Sequence, residues 1–254
     1  MTKFIGIASG KGGVGKTTVA INTSLAINNF DRDTTLLDAN LSTPHVSIHL
    51  GAPLSPITLH NVFKGQNSLT DATYLHPSGL KIIPSSISLD EIDELNPRKL
   101  SNLLFKQDLG ELVIIDMPPG LTSEVTSLFS VLDELIVVTN ADMPSVTEAL
   151  KTIKLSEKNN LNVKGIVLNK SSRSNILSNK NIETILGKKI IAEIPQDKNI
   201  KNSLKANQPL VYAFPESLAS IEFKKLAAKL IGAEYSGSEN TGLLSTILAS
   251  LGIS

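Results

Sequence analysis

The sequence predicts an α/β fold, built as a doubly wound, mostly parallel sheet with helices on both faces. Two observations support this prediction. Short apolar runs alternate with amphipathic stretches of helical length along most of the chain. The apolar run at 112–115 is unbroken, which is typical of a strand covered on both faces of a parallel sheet. A sheet of this kind binds its ligands at the carboxyl ends of its strands.

Strands and helices are predicted in alternation from the first residues onward. These elements form one domain, residues 1–233, which a flexible linker, 234–242, connects to an amphipathic tail, 243–254. Strands are predicted at 4–8, 34–37, 79–84, 112–116, 134–139, 163–169 and 189–194, and helices at 16–29, 58–64, 97–106, 122–131, 144–158, 178–186, 198–206 and 216–232.

The composition narrows the classes of function. Basic and acidic side chains balance at 24 each, and the arginines (Arg32, Arg98 and Arg173) are scattered, which argues against nucleic acid as a partner. The chain has no cysteine, so it forms neither disulfides nor thiolate-ligated clusters. No signal peptide is visible and no apolar run approaches the ~20 residues of a membrane span, so we expect a cytoplasmic protein.

The stretch from Gly10 to Thr18 carries the strongest motif. Gly10, Gly15, Lys16 and Thr17 match the pattern G-x-x-x-x-G-K-[ST] between a predicted strand and a predicted helix. Glycines allow positive φ angles, which bring successive N–H groups close to an anion, and the helix start adds its positive dipole end. Lys16 would reach the β- and γ-phosphates, and Thr17 would offer its hydroxyl to Mg²⁺.

Lys11, directly after the first glycine, makes this stretch resemble the deviant Walker A sequence of the MinD/ParA family of ATPases. The resemblance identifies the chain as a MinD-like member with a P-loop NTPase fold. It implies a homodimer that sandwiches ATP, in which Lys11 contacts the nucleotide of the other subunit. Because the chain has no cysteine, it does not resemble the family members that depend on cysteine ligands. By resemblance, ATP or ADP is bound by Gly10, Lys11, Gly12, Gly13, Val14, Gly15, Lys16, Thr17 and Thr18.

Two further motifs follow strand ends. Asp116-Met117-Pro118-Pro119-Gly120 resembles the Walker B acid and switch II of the family, and Asp38-Ala39-Asn40 resembles its switch I, which is usually D-x-D. The resemblance places Mg²⁺ at Thr17, Asp38 and Asp116, and it assigns catalytic roles to Lys11, Lys16, Asp38, Asn40 and Asp116.

Asn40 departs from the family pattern. An amide can hydrogen-bond the attacking water but cannot take its proton or add negative charge. We therefore expect slow ATP hydrolysis, in which Asp38 or His45 is an alternative group to position the water. A further alternative is that Asn40 leaves ATP trapped, so that the dimer acts as a static scaffold.

The later strand ends supply the rest of the expected site. Asn169 matches the V-x-N-[KR] strand end of the family, whose asparagine reads adenine, and an amide with one donor and one acceptor side suits that role. Pro195 and Asp197 belong to a segment that resembles the I-P-x-D turn beside the same base. Asp142 and Glu148 stand where relatives make dimer or partner contacts, although solvated surface acids are the alternative interpretation.

The tail places apolar side chains at positions 243, 244, 247, 248 and 251, on one helical face. MinD proteins carry a membrane-targeting sequence at this place, so the resemblance implies that residues 243–253 bind a membrane surface. Here the tail lacks basic residues to meet anionic lipid, and packing on protein is the alternative.

The expected function is that of an ATP-dependent dimerising switch, located peripherally on the inner face of the cell membrane. It would position a partner for cell division or for similar spatial organisation, and an unknown protein would regulate it. A ParA-like DNA or cargo partition ATPase is the alternative.

Overall fold

The computed structural model describes residues 2–41, 43–51, 55–86, 103–104 and 108–236. The strands are β1 Lys3–Ala8, β2 Thr34–Asp38, β3 Tyr74–Leu75, β4 Lys81–Ile83, β5 Leu112–Asp116, β6 Glu134–Thr139, β7 Val163–Ser171 and β8 Ile190–Pro195. The helices are α1 Lys16–Asn28, α2 Val46–His49, α3 Leu59–Phe63, α4 Ser123–Leu128, α5 Met143–Lys158, α6 Asn179–Leu186, α7 Lys198–Lys205, α8 Leu210–Ala213 and α9 Leu218–Ile231, and a 3₁₀ turn spans Phe129–Val131.

The strands form one sheet in the order β3-β4-β2-β5-β1-β6-β7-β8. Every neighbouring pair is parallel except β3 and β4, which are antiparallel. The central strand β5 is buried along its whole length, as its unbroken apolar run predicts. Strands β2 to β5 lie on one side of β1 and strands β6 to β8 lie on the other, so the strand order changes direction at β1. The carboxyl ends of the parallel strands β1, β2 and β5 meet at one edge there, where a ligand is expected.

Two apolar cores lie on the two faces of the sheet. One packs alternate residues of the central strands, such as Val113 and Ile115, against α3, α4 and α5. The other packs the intervening residues, such as Ile114, against α1 and α9, where Phe223 is fully buried. Side chains alternate between faces along a strand, so continuous burial of β5 requires both layers. The predicted doubly wound fold is confirmed.

The predicted elements differ from the observed ones mainly at their ends. The helix predicted at 122–131 is shorter and finishes in the 3₁₀ turn, and the strand predicted at 163–169 continues to Ser171. Three short elements, α2, β3 and α8, were not predicted, because segments of two to four residues carry no measurable periodicity. Most of the helix predicted at 97–106, much of the linker and the whole tail lie outside the described residues.

Among the helices that the structure describes, none combines the length and the apolar character that crossing a membrane requires.

Candidate functional site

The loop between β1 and α1 has the geometry of an anion cradle. Gly13 and Gly15 take φ angles of 78° and 96°, values that side-chain-bearing residues rarely adopt. Gly15 is the N-cap of α1, and no side chain caps this helix start. The first N–H groups of α1 therefore point toward the loop with their positive dipole end. A Cβ atom on Gly15 would clash with the Asn169 amide, so only glycine fits there.

Lys16 is nearly buried at the start of α1, with 7% of its side chain exposed. Its ammonium donates to Oδ1 of Asp116 at 2.6 Å, and the Thr17 hydroxyl donates to Oδ2 of the same carboxylate at 2.7 Å. The phosphate loop and the end of β5 are thus held together by one carboxylate. A phosphate group entering the loop would meet the Lys16 ammonium as a second anion, and buried charge-assisted contacts of this type are strong.

Asp38 stands beside Asp116, because β2 and β5 pair these two residues in register. Its carboxylate is fully buried and accepts backbone N–H bonds from Asn40, His45 and Val46 at 3.1, 3.2 and 3.1 Å. Burial first, and then the Asp116 charge, raise the pKa of Asp38 to about 7 despite these hydrogen bonds. Two carboxylates crowded in this way favour a site for positive charge.

The residues present fit a magnesium ion. Asp38, Asp116 and the Thr17 hydroxyl offer an all-oxygen donor set, in which Thr17 lines the cavity and the two carboxylates lie behind its wall, and Mg²⁺ prefers oxygen ligands, completed by water and phosphate. Such an ion would relieve the repulsion between the two carboxylates and would neutralise charge on bound phosphates.

Asn40 lies buried at the cavity wall with its amide turned into its own loop. Its Nδ2 donates to the Thr43 carbonyl oxygen at 2.5 Å, while its Oδ1 accepts from the Thr43 N–H and hydroxyl at 3.3 and 3.2 Å. The side chain is therefore occupied on both its donor and its acceptor side. His45 and His49 line the same wall with ring centroids 6.5 Å apart, and burial lowers the pKa of His49.

Lys11 behaves differently from the rest of the loop. Its ammonium lies 3.6 Å from Oδ1 of Asp142 and 3.4 Å from the Ser145 hydroxyl, at the start of α5, and 45% of its side chain is exposed. Asp142 also caps α5 by accepting from the Ser145 N–H at 2.9 Å. Partial burial opposes ionisation of Asp142, but the hydrogen bonds from Ser145 and the Lys11 ammonium hold its pKa below the usual value. Lys11 does not line the cavity of its own chain.

A cavity of about 530 Å³ opens beside the loop, a size that suits a nucleotide. Of the predicted binding residues, Gly12, Gly13, Gly15, Lys16, Thr17, Thr18, Asn169 and Asp197 line it, together with Asn40. Gly10, Val14 and Pro195 lie outside the lining, as do the carboxylates of Asp38 and Asp116 behind Lys16.

The far wall of the cavity contains residues that the sequence did not single out. Gln196, Ile200, Lys201 and Leu204 line it beside Asp197, which caps α7 by accepting from the Asn199 N–H at 2.8 Å. Positions 197, 200, 201 and 204 share one helical face, so the spacing was a usable signal. Ile200 and Leu204 offer an apolar surface against which a nucleotide base can pack. The buried Oδ1 of Asn169 has no hydrogen-bond partner in the part of the chain that the structure describes and can accept from a donor on that base.

Comparison with known proteins agrees with this geometry. The family model described as "ParA: NUBPL iron-transfer P-loop NTPase" matches residues 1–231. The chain belongs to the ParA/MinD family of P-loop NTPases. The predicted family is thereby confirmed, and the match spans most of the chain. The absence of cysteine means that this chain itself offers no thiolate to an iron cluster.

Individual relatives are similar over nearly their whole length. An ATP-binding protein of Methanocaldococcus jannaschii is 37% identical over 237 residues, which cover 92% of this chain and 90% of the relative. The cell division ATPase MinD of Pyrococcus furiosus superposes with a TM-score of 0.86 at 30% identity, covering 91% of this chain and 99% of MinD. MinD of Pyrococcus horikoshii, solved with Mg-ADP, gives 0.85 at 31% identity, with 91% and 96% covered.

Proposed function

We propose that this protein is an ATP-dependent dimerising switch of the MinD type with slow ATP hydrolysis. The observation that carries the proposal is the placement of Lys11. The other lysine of the loop, Lys16, faces the cavity of its own chain, whereas Lys11 projects away from it toward Asp142 with almost half of its side chain exposed. A lysine in this position is available to the phosphates of a second copy that faces the loop.

The surroundings of Lys11 support a face that meets another copy. Met143 and Leu121, which follow Asp142 and switch II, are exposed at 49% and 37%, and Ile176 is exposed at 78%. The Leu177 N–H donates to the Ala141 carbonyl at 3.3 Å, so the loop carrying Ile176 lies beside the start of α5. Apolar side chains around a charged lysine form the kind of patch that a subunit interface buries.

We propose that hydrolysis is slow because position 40 carries an amide and not a carboxylate that could accept a proton from the attacking water. Asn40 is neutral and its amide is bonded to Thr43. Lys16 and the donors of the loop still provide charge stabilisation, which dominates phosphoryl transfer. The scaffold interpretation, in which ATP stays trapped, rests on the same observation.

Replacing Asn40 by aspartate is expected to raise the rate of phosphate release roughly tenfold, which is less than the ~100-fold or more of a fully effective acid–base group, because charge stabilisation dominates phosphoryl transfer. A carboxylate cannot donate to the Thr43 carbonyl oxygen, so Asn40→Asp loses that bond while one of its oxygens still accepts from the Thr43 N–H and hydroxyl. The second oxygen, repelled by the Thr43 carbonyl, is then available to a water in the cavity. Phosphate release at saturating Mg-ATP measures the effect, with Asn40→Ala as the control for losing the Thr43 contacts alone. Equal rates for Asn40→Asp and the unaltered chain would remove Asn40 as the cause of slow turnover, and no release at all from the unaltered chain would favour the scaffold.

We propose further that the protein acts peripherally at a membrane through residues 243–253. Full burial of the five apolar side chains would contribute at most ~7–10 kcal/mol, and shallow immersion and helix formation would consume much of that. One tail should bind weakly, whereas two tails on a dimer gain effective concentration, so nucleotide state would control membrane residence.

Truncation after Gly242 is expected to abolish cosedimentation with phospholipid vesicles in ATP, while nucleotide binding is unchanged. The unaltered chain should cosediment several-fold more in ATP than in ADP. A truncated chain that sediments as well as the full chain would contradict the membrane proposal. An ATP-dependent gel shift with DNA that fades steeply with salt would favour the ParA-like alternative instead.

A further inference from the structure

Strand β7 ends beside the phosphate loop in an unusual backbone conformation. Lys170 has a φ angle of 54°, in the left-handed region that residues other than glycine seldom adopt. This conformation directs the Lys170 side chain back across the loop, where it also lines the cavity. A residue held in this region is maintained by its surroundings, and such residues cluster at functional sites.

The end of β7 supplies hydrogen-bond donors to two successive carbonyl groups of the loop. The Lys170 ammonium donates to the Gly13 carbonyl oxygen at 2.7 Å, and Nδ2 of Asn169 donates to the Val14 carbonyl oxygen at 2.7 Å. A loop that turns its N–H groups toward an anion turns its carbonyl groups elsewhere, and these then need donors of their own. Here the donors come from a strand more than 150 positions away in sequence.

We infer that Lys170 is a positioning residue, which holds the phosphate loop in its nucleotide-binding shape through the Gly13 carbonyl. The inference rests on the proposed binding of ATP at this loop, but not on dimerisation or membrane binding. The ammonium of Lys16 donates to Asp116, so a different residue must donate to the carbonyl groups on the Gly12–Gly13 side of the loop. Lys170 provides it, and its charged hydrogen bond is stronger than a neutral one.

Lys170→Met tests this role, because methionine keeps an unbranched side chain only one atom shorter than lysine but donates no hydrogen bond. In the nucleotide-free chain, the backbone amides of residues 10–15 should show lower order parameters in NMR relaxation, because the loop loses one of its anchors. Calorimetric affinity for ADP should fall about tenfold, which corresponds to ~1.4 kcal/mol. Lys170→Arg should restore most of both. Lys164→Met, on the same strand, is the matched control: its ammonium donates to the mostly buried carboxylate of Glu134 at 3.1 Å, and Lys3 still pairs with that carboxylate in the variant.

The outcomes separate this inference from its premise. If the unaltered chain does not bind ADP, the proposed function fails. If the unaltered chain binds and Lys170→Met lowers affinity without changing the order parameters of the loop in the nucleotide-free state, Lys170 contacts phosphate directly and the positioning role is overturned. Unchanged affinity and unchanged order parameters overturn it as well.

Discussion

Lys16→Met is expected to abolish ATP and ADP binding and to destabilise the nucleotide-free chain. The ammonium of Lys16 is the only partner of opposite charge that the described residues place on buried Asp116, at 2.6 Å. Removing it leaves the Asp116 carboxylate beside the Asp38 carboxyl in a buried setting. Loss of one member of a buried ion pair costs about 3 kcal/mol or more, and urea unfolding measures that cost.

A second variant should distinguish the loss of folding stability from the loss of nucleotide binding. Combining Lys16→Met with Asp116→Asn removes both charges, so much of the stability should return, while calorimetry should still detect no nucleotide binding. A Lys16→Met chain that keeps its affinity for ADP within a few-fold would show that the phosphate loop does not work as described.

Lys11→Ala is expected to abolish ATP-induced dimerisation while leaving nucleotide binding by the monomer nearly unchanged. Lys11 does not line its own cavity, so its loss removes little from binding within one chain. Its exposed ammonium would supply a charge-assisted contact to the nucleotide across the interface. The shift should exceed 100-fold in dimer affinity, because breaking a desolvated interfacial charge contact costs roughly 3 kcal/mol or more.

The matched control for this variant is Lys154→Ala. Lys154 lies on α5 with 70% of its side chain exposed and pairs with Glu157 at 3.0 Å. Its replacement should change neither dimerisation nor nucleotide affinity. Lys151 is less suitable, because its partner Glu148 lies against Gly10 of the loop.

The phosphate site could be predicted from sequence because its chemistry is local. Four positions within eight residues define the loop, and its strand–helix context is visible in the apolar pattern. The contact of Lys16 with Asp116 follows from the parallel order of β1 and β5, which brings both strand ends to one edge. Family resemblance then supplied the expected ligands.

Other parts of the site depend on tertiary contacts that leave no sequence pattern. Helix α2 has only four residues, too few to show periodicity, so the sequence does not predict that His45 and His49 lie together on one wall of the cavity. The positive φ of Lys170 and its bond to Gly13 were invisible, since nothing in the residue type predicts a left-handed conformation. The same holds for Asn40, whose amide is turned to Thr43 by the shape of its loop.

The most direct test of the central claim is the molar mass of the full chain in solution, measured by light scattering during gel filtration with ATP, with ADP and without nucleotide. The account predicts a dimer near twice the chain mass of 27.2 kDa only with ATP, and a monomer for Lys11→Ala in all conditions. A chain that remains monomeric with saturating ATP, or a Lys11→Ala variant that dimerises as well as the unaltered protein, would contradict it.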